Sequence, residues 1–114
     1  MPAGGMILGV GVDVVEIDRF AAALARRPRL AERCFTPAEA GYCLRRRFPA
    51  QHFAARFAAK EAVGKALGIG MTRWREVEVV RGRGAPSMER VHVSLTHGRD
   101  SAVAFAVAEG AAPG

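Results

Sequence analysis

The sequence predicts an α+β domain, a small and mostly antiparallel sheet with helices packed on it. Three observations carry that expectation. An alternating apolar segment opens the chain, a run of helix-forming residues fills its middle, and two alternating segments joined by a short turn close it. With 114 residues, half of them apolar, there is enough chain for one core and little for a second. A single domain is therefore expected over residues 6–109, with flexible ends at 1–5 and 110–114.

The first segment, 7–15, reads as a strand with Leu8, Val10, Val12 and Val14 on one face and Gly9, Gly11, Asp13 and Val15 on the other. Asp13 thus stands on a face cleared by two glycines. A carboxylate in so apolar a strand is costly to bury unless it is paired, holds a metal or stands at the strand's open end, and its plain structural role would be to cap the next helix. Residues 16–26 form a helix that turns Phe20 and Leu24 inward, and Pro28 interrupts it. Thr36-Pro37-Ala38-Glu39 is a capping box with proline at the first helical position, which starts a helix running to about Arg47. The arginines at 45–47 suit its C-terminal end.

Residues 53–67 form the central helix, stopped by Gly68. Ala58, Ala59, Ala62, Val63, Ala66 and Leu67 make an apolar side of mostly small residues, and Arg56, Lys60, Glu61 and Lys65 are expected on the opposite arc. One reading is an exposed helix with a Glu61 to Lys65 pair worth a few tenths of a kcal/mol. The other is a site. A single acid among three cations, followed by Gly68-Ile69-Gly70, suits a divalent metal and phosphate oxygens. Further on, a strand is expected over 75–81, a turn over 82–86, and a hairpin whose strands are 91–97 and 101–108. Val91, Val93 and Leu95 face inward, and His97 sits at the tip, where it caps, faces solvent, or meets a ligand.

The net charge of +6 calls for an acidic partner: nucleic acid, an anionic membrane, a polyphosphate or an acidic protein. One tryptophan and one tyrosine argue against a base-stacking surface. No apolar run has membrane-spanning length and the start lacks a signal-peptide pattern, so neither a nucleic-acid nor a membrane partner is expected and the cytoplasm is the default. Cys34 and Cys43 lack metal-ligand spacing and read as free thiols.

The segments Ile7-Leu8-Gly9-Val10-Gly11-Val12-Asp13-Val14-Val15-Glu16, Phe35-Thr36-Pro37-Ala38-Glu39, the whole of 56–70, and His92-Val93-Ser94-Leu95-Thr96-His97 resemble the short bacterial phosphopantetheinyl transferases of the holo-[acyl-carrier-protein] synthase family. The resemblance implies transfer of the 4′-phosphopantetheine arm of coenzyme A to a serine of an apo acyl carrier protein, of fatty-acid or polyketide type. It implies Mg²⁺ held by Asp13 and Glu61, with Lys65 beside the breaking diphosphate. The serine's base would be Glu61 or a water acidified by the metal. Arg56, Lys60, Lys65, Gly68 and Gly70 would meet the phosphates and adenosine; Ser94, Thr96 and His97 would meet the nucleotide's 3′-phosphate, with Asp100 orienting His97. Arg19, Arg26 and Arg29, with Arg27 and Arg33 nearby, would hold the acidic carrier protein. The family pattern also implies a homotrimer with sites between subunits. Only Ser87, Met88, Glu89 and Arg90 lie between Pro86 and Val91, where family members carry a further strand and helix. Two competing readings are a module of the same fold that binds coenzyme A or a carrier protein without turnover, and a basic nucleic-acid-binding domain.

Overall fold

β1 (Gly5–Glu16), β2 (Val91–His97) and β3 (Ser101–Ala111) form an antiparallel sheet of order β1-β3-β2. The computed structural model describes residues 5–69, 74–77 and 90–111. β1 and the central strand β3 run longer than expected, because Gly5 pairs with Ala111 and Met6 with Gly110, so the ladder takes in residues assigned to the chain's ends. A bulge between Ile7 and Gly9 shifts the register early in β1. From Gly9 onward the strand alternates as the sequence indicates.

Between β1 and β2 lie α1 (Ile17–Arg26), α2 (Leu30–Cys34), α3 (Pro37–Leu44) and α4 (Pro49–Leu67). The short α2 follows Pro28 and was not legible in the sequence. α3 opens with the full capping box: Glu39 N donates to Thr36 Oγ1 at 3.2 Å, and Thr36 N donates to Glu39 Oε1 at 2.9 Å. It ends three residues before Arg47. Pro49 starts α4, and Gly68 stops it in the left-handed region at φ 71°.

α4 lies across the inner face of the sheet. Gly9 and Gly11 let it come close: a Cβ at Gly9 would fall on the carbonyl oxygen of Ala66, and one at Gly11 on that of Ala62. The glycine face of β1 is therefore the covered one. Its valine face is open, with Leu8, Val10, Val12 and Val14 each more than half exposed. One core cluster joins α4 alanines to Ala104, Ala106 and Ala108 of β3, with Val91, Val93 and Leu95 of β2 packed against it. A second gathers Ile17, Phe20, Phe35, Phe53, Cys34 and Cys43. Both cysteines are free and buried, and burial pushes the Cys43 thiol up to about 11.

The solvent arc expected for α4 needs correction. Arg56 is 4% exposed and Lys60 is 0% exposed. The reason is that α1, α3 and a 3₁₀ turn at Trp74–Glu76 cover the side of α4 away from the sheet. Lys60 Nζ donates to Glu39 Oε1 at 2.8 Å, to Trp74 O at 2.6 Å and to Val77 O at 2.7 Å. That 3₁₀ turn occupies the start of the segment expected as a strand over 75–81; the remainder, the turn over 82–86 and most of the short connection to Val91 lie outside the described residues. Among the described residues, no helix is long and apolar enough to cross a membrane.

Candidate active site

Asp13, Glu61 and Arg19 line one cavity of about 510 Å³, walled on its apolar side by Phe20 and Phe57. The glycines that admit α4 also set this meeting of strand and helix. Asp13 does not cap α1, whose N-cap is Glu16 without a side-chain bond. Its Oδ1 instead accepts from Lys65 Nζ at 3.1 Å, and the same ammonium donates to Val12 O at 3.0 Å. Glu61 Oε1 accepts from the Trp74 indole Nε1 at 2.8 Å. The Glu61 to Lys65 pair along the helix is thus replaced by two bonds to other parts of the chain.

Among the described residues no cluster of three or more His, Cys, Asp or Glu stands ready for a metal. Three carboxylates line this cavity, Asp13, Glu16 and Glu61, and the pair expected to hold a metal is Asp13 and Glu61. That pair fits Mg²⁺, which keeps several waters and takes one or two protein carboxylates together with substrate phosphates. It does not fit a structural zinc site, which needs four nitrogen or sulfur ligands.

A second cavity, of about 360 Å³, is lined by Tyr42, His52, Arg56, Ser94 and His97 and, among the described residues, by no carboxylate. Among the described residues it shares no lining residue with the first. Arg56 stacks its guanidinium 4.0 Å over the Tyr42 ring, Arg46 lies 4.1 Å over the same ring, and the buried Arg56 Nε has no hydrogen-bond partner. His97 packs on His52 at 4.9 Å between ring centroids. Burial lowers the His52 pKa below the ordinary imidazole value, and the positive groups His97, Arg56 and Arg46 add to that.

The residues expected to hold phosphate and nucleotide therefore divide. Arg56, Ser94 and His97 meet at the second cavity and Lys65 sits by Asp13, whereas Lys60 points into the core and is held there by Glu39. Thr96 pairs opposite Val103 and Ser94 opposite Phe105, which places both on the sheet face away from α4. Asp100 makes no side-chain bond to His97; its carbonyl accepts from Ile17 N at 2.9 Å. Gly68 is exposed, and Gly70 lies outside the described residues. Arg19, Arg26 and Arg29 are exposed along α1 and at the N-cap of α2. The sequence reading missed three groups. His52 is four residues before Arg56 and so shares its helix face, a signal that was available. Tyr42 and Trp74 had no such local signal.

Asp13 of β1 with Glu61 and Lys65 of α4 at one cavity, and Arg56 of the same helix at another, give an α+β protein whose charged groups suit phosphate chemistry. The family model described as the 4′-phosphopantetheinyl transferase superfamily matches residues 9–109, and the chain belongs to that family. It is 46% identical to the holo-[acyl-carrier-protein] synthase of Anaeromyxobacter dehalogenans, over 95% of this chain and 100% of the relative. It is 42% identical to that of Moorella thermoacetica, over 90% and 94%. The alignment with the first relative spans 128 positions, more than this chain has, so some positions of the relative lack a counterpart here. Among solved structures, the holo-(acyl-carrier-protein) synthase from Bacillus anthracis in complex with CoA (3′,5′-ADP) superposes with a TM-score of 0.81 at 33% identity, over 93% of this chain and 99% of that one.

Proposed function

We propose that this chain transfers the 4′-phosphopantetheine arm of coenzyme A to a serine hydroxyl of an apo acyl carrier protein and releases adenosine 3′,5′-bisphosphate. The observation that carries the reading is the convergence of Asp13 and Glu61 on one cavity, with Lys65 bonded to Asp13. Asp13 and Glu61 would hold Mg²⁺, which would supply positive charge to the coenzyme A diphosphate. The serine oxygen bonds to the phosphorus next to the pantetheine arm as the bond from that phosphorus to the bridging oxygen breaks. Glu61, its carboxylate oriented by Trp74, takes the serine proton. Lys65 offsets the charge that grows on the departing oxygen. Arg56, Ser94 and His97 hold the nucleotide at its 3′-phosphate.

Exposed Arg19, Arg26 and Arg29 give the basic chain a surface for an acidic carrier protein. The open sheet face supports assembly as a homotrimer: Leu8, Val10, Val12, Val14 and Phe105 are together too large an apolar surface to leave in water. In such an assembly the Asp13 cavity of one copy would face the Arg56 cavity of the next, which suits two half-sites that share no lining residue. Two buried free thiols suit a reducing, cytoplasmic setting. Chromatographic measurement of adenosine 3′,5′-bisphosphate release tests the chemistry. Asp13→Asn and Glu61→Gln should abolish release while leaving carrier-protein binding intact; release at an undiminished rate from both variants would refute the roles assigned.

A further inference from the structure

His52 enters neither the sequence reading nor the mechanism above, yet it lines the second cavity. It lies one helical turn before Arg56 on α4, with its ring edge-on to His97 at 4.9 Å and to Tyr42 at 5.9 Å. The charged groups near it are positive. Arg56 comes from the same helix, Arg46 from the segment after α3, and His97 from β2, and no carboxylate among the described residues lines the space. Arg56 is nearly fully buried and its Nε has no acceptor among the described residues, an arrangement that costs stability until a ligand supplies one. A ribose hydroxyl would offer one weak acceptor. A phosphate monoester offers three strong ones and close to two negative charges.

We propose that His52 is the specificity-determining group of this cavity: beside His97 it selects a nucleotide bearing a 3′-phosphate monoester, and His52 takes up a proton as that phosphate enters. The proposal rests on the coenzyme A reading above and adds to it a residue and a proton. In the free protein, burial together with the positive field of His97, Arg56 and Arg46 keeps His52 neutral. An entering dianion cancels that field and favours the imidazolium, which can then donate to a phosphate oxygen. Affinity for the 3′-phosphate should accordingly rise as pH falls through the neutral range, until protonation of the phosphate monoester, whose second pKa is about 6, opposes it.

Calorimetry on the full chain tests this, with adenosine 3′,5′-bisphosphate and adenosine 5′-monophosphate titrated near neutral pH in two buffers of different ionisation enthalpy. The expected result is proton uptake with the bisphosphate, none with the monophosphate, and binding of the bisphosphate that is tighter by about tenfold or more. His52→Gln keeps a hydrogen-bond donor but does not titrate. It should lose the uptake, flatten the pH dependence and weaken the bisphosphate by about tenfold, with the monophosphate unchanged. Discrimination by the unmodified chain without proton uptake, or full uptake in His52→Gln, overturns the role of His52 and leaves the coenzyme A reading standing. No discrimination at all removes the placement of the 3′-phosphate, and the proposal with it. The unmodified chain alone decides the first point, whatever the stability of the variant.

Discussion

Trp74 ties the candidate site to the interior of the molecule through both its ends. Its indole Nε1 donates to Glu61, and its carbonyl accepts from the buried Lys60 ammonium that also bonds Glu39. One carboxylate oxygen of Glu61 is thereby fixed before any ligand arrives, and such outer bonds to a ligating carboxylate are worth about ten- to a hundredfold in metal affinity or activity. Trp74→Phe keeps the ring stacked near Phe57 and removes only the donor. The turnover number should fall by about tenfold with the Michaelis constant for carrier protein unchanged, as steady-state kinetics would show. Because Trp74 is the chain's one tryptophan, its fluorescence should also shift when Mg²⁺ and coenzyme A are added. An unaltered turnover number in the variant would leave the Glu61 bond without a catalytic role.

At the scale of elements, the contact between β1 and α4 sets the site, because it brings Asp13 and Glu61 to one cavity. Gly11→Ala should press a methyl group on the Ala62 carbonyl and the Lys65 Cβ, costing about 1–3 kcal/mol in a thermal or urea melt. Activity should fall more than stability, since the helix that yields carries Glu61 and Lys65; a variant as stable and active as the parent would show the close approach to be dispensable. Much of this level was legible in the sequence, because its signals are local. The alternation of β1, the Thr36 and Glu39 box, the Gly68 stop and the bounds of β2 all rest on neighbours in the chain. Which face of β1 is covered was not legible, since alternation defines two faces and the glycine side wins only through α4. The burial of Lys60 was equally hidden: its acceptors on Glu39, Trp74 and Val77 lie far from it along the sequence. Asp13 and Glu61 were found through their surroundings and the family resemblance, whereas Trp74 entered only with the tertiary contact.

At the scale of the whole molecule, the outer sheet face and the basic first helix carry the argument. Phe105 stands at the centre of the open face, opposite both Val12 and Ser94. Phe105→Glu should convert the assembly to monomers by analytical sedimentation, with the helical circular dichroism retained and activity lost. A parent chain that sediments as a monomer would contradict the proposed trimer. Arg26→Glu combined with Arg29→Glu should raise the Michaelis constant for carrier protein, leave that for coenzyme A unchanged, and reduce the salt dependence of association. Equal effects on both substrates would refute the assignment of this surface. The central claim is the transfer itself, and intact-mass spectrometry of an apo acyl carrier protein incubated with this chain, coenzyme A and Mg²⁺ tests it most directly. The account predicts a mass gain equal to one phosphopantetheine arm on the carrier serine; a carrier protein that binds the chain and keeps its apo mass would contradict it.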